Sequence, residues 1–136
     1  MPITKSETET LALAARIAEK IKKGGLVCLF GELGTGKTIF AKGIADYLGI
    51  DKFSIKSPTY TYIRHHSGRG VNIYHIDLYR LEKIDDLMLR EINELIENKT
   101  NIIIMEWADR MGNALPKNRI DIHLKYIDKN TREITL

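Results

Sequence analysis

The sequence predicts an α/β domain, a mixed parallel and antiparallel sheet flanked by helices. Three observations predict it. Leu26 to Phe30 and Ile102 to Met105 are short, unbroken apolar runs, the pattern of strands covered on both faces. Segments with apolar residues at helical spacing alternate with these runs. A glycine-rich turn from Gly31 to Thr38 joins the first run directly to the helical segment behind it.

Each element has its own signal. Ser6 can cap a first helix, with Glu9 three residues on as in a capping box. Leu11, Ala14, Ala15, Ala18 and Ile21 continue it at helical spacing, and Gly24-Gly25 stops it. From Lys37 a second helix turns Phe40, Ala41, Ile44, Ala45 and Leu48 inward, with Gly49 as its stop. Thr59 to Ile63 and Val71 to Leu78 alternate like strands, and Arg64 to Gly70 reads as a polar connection between them. Ile84 to Glu97 is helical through Leu87, Ile92, Leu95 and Ile96. After the Ile102 run, Arg119 to Ile127 alternates with Ile120, Ile122, Leu124 and Tyr126 on one face. Asp128 to Thr131 is turn chemistry, so Arg132 to Leu136 returns as the second arm of a hairpin.

Composition narrows the function classes. A chain of 136 residues with 43% hydrophobic residues and a net charge of +3 fits one domain over residues 1–136. Its charges are mixed, with no basic block to argue for direct nucleic-acid binding. Cys28 is the only cysteine, which rules out an intrachain disulfide; inside Leu26 to Phe30 it reads as a small core residue. No apolar run is long enough to span a membrane or serve as an export signal, so the expected location is the cytoplasm, away from membranes.

The chemistry is concentrated in Gly31-Glu32-Leu33-Gly34-Thr35-Gly36-Lys37-Thr38. This fits GxxxxGK[ST] at every fixed position, with a buried strand before it and an amphipathic helix after it, the context of a P-loop. The glycines let successive N–H groups face one anion, and the helix dipole adds to the field. Lys37 then reaches the β and γ phosphates of a nucleotide, and the Thr38 hydroxyl ligates Mg²⁺. The fold expected is P-loop NTPase-like.

A metal at that position needs a carboxylate at the C-terminal edge of a neighbouring strand. Glu106 is placed there by the Ile102 run, although an exposed strand-end glutamate is the plainer alternative. His75 and Asp77 share one face of their strand, and Asp77 is the candidate base or water-positioning group. The alternative is a polar strand end in which His75 and Asp77 hydrogen-bond each other. Trp107 is either a nucleotide contact or a partly buried aromatic. His65 and His66 read as solvated loop residues, and His123 points away from the apolar face of its strand.

Four segments in this order carry a resemblance. They are the glycine loop, Ser57-Pro58-Thr59-Tyr60, His75-Ile76-Asp77-Leu78-Tyr79-Arg80-Leu81 and Glu106-Trp107-Ala108-Asp109-Arg110. Together they resemble the TsaE (YjeE) family, bacterial P-loop ATPases of tRNA threonylcarbamoyladenosine biosynthesis, over essentially the whole chain. The resemblance implies ATP or ADP with Mg²⁺ as cofactors. Gly31, Gly34, Thr35, Gly36, Lys37 and Thr38 would hold the phosphates, with Thr38 and Glu106 as metal ligands. Thr59 would belong to a loop that senses the terminal phosphate, and Asp77 would act in hydrolysis. Trp107 would lie beside the nucleotide, and Thr10 and Arg132 would frame the adenine. Ile39 stands in the cofactor segment where many relatives carry a second Thr.

The resemblance further implies TsaB and TsaD proteins as partners, with tRNA engaged indirectly through their complex, which hydrolysis would reset. Three rivals share the cradle. A small-molecule kinase needs an acceptor pocket and an arginine-bearing lid, and no inserted segment supplies one. A GTPase needs NKxD, whereas Asn98-Lys99-Thr100-Asn101 ends in Asn. A nucleotide-gated scaffold would bind without needing hydrolysis.

Overall fold

The computed structural model describes residues 3–32, 35–50 and 62–136. The chain runs through β1 (Ile3–Thr4), α1 (Glu7–Ile21), β2 (Gly25–Phe30), α2 (Lys37–Tyr47), β3 (Ile63–Gly68) and β4 (Val71–Asp77). It continues through α3 (Asp86–Glu97), β5 (Ile102–Glu106), a 3₁₀ stretch (Ala108–Ala114), β6 (Ile120–Tyr126) and β7 (Arg132–Thr135). The strands among the described residues join one seven-stranded sheet in the order β1-β7-β6-β2-β5-β4-β3. The central strands β6, β2, β5 and β4 are parallel, while β1, β7 and β3 pair antiparallel at the two edges.

Strand alternation divides the core in two. Val27, Leu29, Ile102, Ile104, Ile122 and Leu124 turn to the face covered by α1 and α2, where they meet Ile17, Phe40 and Ile44. Leu26, Cys28, Ile103 and Met105 turn to the other face, where they meet Ile92 of α3 and Met111 of the 3₁₀ stretch. The interior of β2 and the whole of β5 are buried on both sides, which is why both read as continuous apolar runs. Burial pushes the Cys28 thiol up to about 12, with the Asp121 carboxylate adding to it, so this cysteine is an inert part of the packing.

Local chemistry sets the helix ends. Ser6 Oγ accepts the Glu9 N–H at 3.1 Å, capping α1 as its sequence predicts. Asp85 Oδ1 accepts the Met88 N–H at 2.8 Å, so α3 starts at Asp86, two residues later than the apolar periodicity alone suggests. Among the described residues no helix is long and apolar enough to cross a membrane.

Three readings of the sequence change. The segment from Arg64 is not a polar connection: through Gly68 it forms β3, and the turn is confined to Arg69 and Gly70, which have φ of 52° and 76°. An edge strand can carry polar side chains because part of it faces water, and this hid its β pattern. His65 and His66 are therefore strand residues: His65 stacks on Tyr74 at 4.4 Å and bonds Asn72 at 2.8 Å, while His66 is half-buried. Tyr126 is 53% exposed, although its alternation puts it with the core-facing residues of β6, because the pairing of β6 with β2 ends at His123 and only β7 accompanies it further. Of the strand expected over Thr59 to Ile63, residues 59–61 lie outside the described residues.

Candidate functional site

The site lies at the C-terminal edge of β2, β4 and β5, where β2 gives way to the glycine turn and α2 begins. Gly31 lies there with φ of 151°; a Cβ on it would stand 2.6 Å from the Leu124 carbonyl oxygen and 2.7 Å from Thr35 Oγ1. Only glycine lets the turn pass this close to β6. Gly36, with φ of 99°, is the left-handed N-cap of α2 and provides no capping side chain. The first turn of α2 carries no acidic residue of its own, so no carboxylate from that turn offsets the positive end of the helix dipole.

Lys37 is the first residue of α2 and is buried. Its Nζ donates to the Gly31 and Glu32 carbonyls and lies 4.5 Å from the centroid of the Trp107 ring. Burial lowers its pKa, while the carboxylates of Glu106, Asp77, Glu32 and Asp109 act in the opposite sense. A partly desolvated ammonium beside a helix N-terminus without a side-chain cap is a strong site for an anion, because water does little to screen it.

The carboxylates come from adjacent parallel strands. Asp77 of β4 is in register with Glu106 of β5, and Glu106 in turn with Leu29 of β2. Glu106 is only 3% exposed, which removes the exposed-glutamate alternative. Its Oε2 lies 2.5 Å from Nε2 of the fully buried His75. His75 therefore pairs with Glu106, while Asp77 Oδ1 accepts the Tyr79 N–H at 3.0 Å; the anticipated His75–Asp77 hydrogen bond is not the one formed. Burial raises the Asp77 pKa and Glu106 raises it further, against the Tyr79 N–H.

Trp107 follows Glu106 at φ 58°, a costly conformation for a bulky residue. It turns the chain out of β5 into the 3₁₀ stretch and brings the ring over Lys37, with Tyr79 edge-on at 5.1 Å and the Arg110 guanidinium at 5.6 Å. On the other side of α2, Thr10, Gly36, Ile39 and Arg132 line one cleft of about 400 Å³, counting its open mouth. Arg132 Nε also donates to the Thr35 carbonyl at 3.0 Å, tying the β6–β7 hairpin to the glycine turn. Thr10 is buried, its hydroxyl 2.7 Å from that of Thr4.

Of the residues expected from sequence, the structure gathers Gly31, Thr35, Gly36, Lys37, Thr38, Asp77, Glu106 and Trp107 at this sheet edge, and Thr10, Ile39 and Arg132 at the adjoining cleft. Gly34 and Thr59 lie outside the described residues. Sequence reasoning missed His75 as the partner of Glu106, and Glu7, Lys129 and Asn130 as cleft walls. Lys129 and Asn130 had signalled only a turn; nothing in their spacing said that the hairpin folds back against α2.

The comparison with known proteins that decides the family covers nearly the whole chain: residues 4–134 match the family described as "Threonylcarbamoyl adenosine biosynthesis protein TsaE". The chain belongs to the TsaE family. That family is involved in tRNA threonylcarbamoyladenosine biosynthesis. The TsaE of Bacillus subtilis is 37% identical over 133 residues, covering 97% of this chain and 81% of the relative. The TsaE of Treponema pallidum is 33% identical over 134 residues, covering 98% and 97%. Among solved structures, Bacillus subtilis YdiB is similar with a TM-score of 0.73 and 31% identity, over 98% of this chain and 80% of that one. The mixed sheet and flanking helices described for this chain are thus those of a TsaE relative.

Proposed function

We propose that this TsaE-family protein is an ATP-binding, slowly hydrolysing P-loop ATPase that acts in the cytoplasm. In this reading it supports threonylcarbamoyladenosine modification of ANN-decoding tRNAs by resetting a TsaB–TsaD complex, and meets tRNA only through that complex. The observation that carries the reading is Lys37, a buried cation at the uncapped start of α2, facing the carboxylates of Asp77 and Glu106.

Phosphates would be held by Gly31, Gly34, Thr35, Gly36, Lys37 and Thr38, and the cation by the Thr38 hydroxyl and Glu106. The donor set fits Mg²⁺, a hard cation that takes oxygen ligands and ordinarily one or two protein carboxylates plus phosphate oxygens: Thr38 offers a hydroxyl at the start of α2 and Glu106 a carboxylate at the end of β5. Bound there, Mg²⁺ would neutralise charge on the β and γ oxygens. Asp77, with its raised pKa, is suited to orient the attacking water and draw its proton; Thr59 would sense the terminal phosphate. Thr10, Ile39 and Arg132 would frame the adenine, with Trp107 beside the nucleotide.

Adenine is favoured over guanine by the fate of the segment nearest to NKxD. Asn98 Oδ1 accepts from the Thr100 N–H at 3.1 Å, and Asn101 Nδ2 donates to the Leu95 carbonyl at 3.0 Å. Both side chains are spent on the α3–β5 loop, at the opposite end of β5 from Glu106.

Arg80 and Arg110 are both exposed, and Arg110 is engaged with Trp107. A further arginine placed by a partner is worth roughly 10³ to 10⁵ in phosphoryl-transfer rate. ATP turnover is therefore expected to be slow alone and to rise when TsaB and TsaD are added together, with GTP little used in either case. Equal ATP turnover with and without the pair contradicts the reading.

A further inference from the structure

His75 stands where the sheet otherwise buries hydrocarbon. It is fully buried, its register partner on β5 is Ile104, and Ile73 precedes it on the same face of β4. An imidazole in such a place is costly unless it is hydrogen-bonded, and an aliphatic side chain would suit the packing better. Its Nε2 lies 2.5 Å from Glu106 Oε2, while its Nδ1 has no hydrogen-bond partner among the described residues. A carboxylate only accepts, so Nε2 carries the proton and donates it.

Among the described residues the imidazole hydrogen-bonds to this carboxylate alone. Glu106 has a need that a shorter acid would lack: at the end of β5 a glutamate has one more rotatable bond than an aspartate, hence more carboxylate orientations to lose on meeting a cation. We propose that His75 is a positioning residue, holding the Glu106 carboxylate in one orientation through Nε2–H so that its remaining oxygen is set to receive a divalent cation at the start of α2. The inference rests on the nucleotide-and-Mg²⁺ reading of the site. Groups that orient a metal ligand from behind typically contribute 10- to 100-fold in metal affinity.

The test uses Mn²⁺ as probe, titrated with ADP present and followed by electron paramagnetic resonance, with ADP affinity measured separately in chelator. His75→Leu is expected to weaken Mn²⁺ binding about 10- to 100-fold while leaving metal-free ADP affinity unchanged. His75→Gln, which can still donate to the carboxylate, is expected to recover most of the loss. In a Glu106→Gln background the His75→Leu substitution is expected to have no further effect on Mn²⁺. Equal Mn²⁺ affinity in wild type and His75→Leu overturns the inference while leaving the nucleotide reading intact. Should His75→Leu not fold, His75→Phe takes its place as a variant that fills the site without donating, and wild-type Mn²⁺ affinity in it likewise overturns the inference. Wild-type protein that binds ADP with no response to Mn²⁺ overturns the metal reading as well.

Discussion

Lys37→Ala is expected to lose tight nucleotide binding. The ammonium is buried at the start of α2, and its hydrogen bonds run to two backbone carbonyls, Gly31 and Glu32, that a phosphate would replace as acceptors. A charge-assisted hydrogen bond contributes about 1.5 to 3 kcal/mol, so losing two phosphate contacts removes about 3 to 6 kcal/mol. That corresponds to a Kd weakened by roughly 10² to 10⁴. Stability should change far less, because burial already disfavours the charged lysine in the folded chain. Anisotropy of a fluorescently labelled ADP, read beside a thermal melt, checks both halves. Wild-type affinity in a folded Lys37→Ala protein would remove the lysine from the site.

Asp77→Asn is expected to separate binding from hydrolysis. The amide keeps an oxygen able to accept the Tyr79 N–H, so the turn after β4 is retained, but it can no longer take a proton from water. A positioned general base is worth about 10² to 10⁴ in rate, and turnover should fall by that factor while ADP affinity moves only a few-fold. In the nucleotide-free protein burial raises the Asp77 pKa, and the Glu106 carboxylate adds to it.

The stability consequence has the same origin. Below the unfolded value near 3.8 both states hold the proton and Asp77 contributes nothing. As pH rises through the unfolded and then the folded pKa, the native state is left with a poorly solvated charge and loses stability. At pH 7 the Asn variant should therefore melt above wild type, with the gap closing by about pH 3, below both pKa values. Unchanged turnover in Asp77→Asn would take Asp77 out of the chemistry, and a lower melting temperature at pH 7 would contradict its electrostatic account.

What could be read from the chain was whatever depends on neighbours in sequence. The Ser6–Glu9 cap, the doubly covered strands β2 and β5 and the glycine turn between β2 and α2 are local patterns, and each survives in the structure. β3 was illegible because its Arg-His-His-Ser composition reflects an edge strand, where solvent rather than a core decides the side chains. Likewise, His75 and Asp77 share a face at spacing two, which invites a local hydrogen bond. The partner that wins, Glu106, comes from another strand 31 residues away, and only the parallel register of β4 and β5 brings it within reach. The cleft between α1, α2 and the β6–β7 hairpin follows the same rule, since Thr10 and Arg132 meet only through tertiary packing.

The central claim is that the backbone N–H groups at the start of α2, with Lys37, grip the phosphates of a magnesium-bound nucleotide. Isothermal calorimetry of the folded wild-type protein against ATP and ADP, each with and without Mg²⁺, measures this directly. One nucleotide per chain, bound more tightly with Mg²⁺ than without, is the predicted result. No heat from either nucleotide with Mg²⁺ present, even after the TsaB–TsaD pair is added, would contradict it.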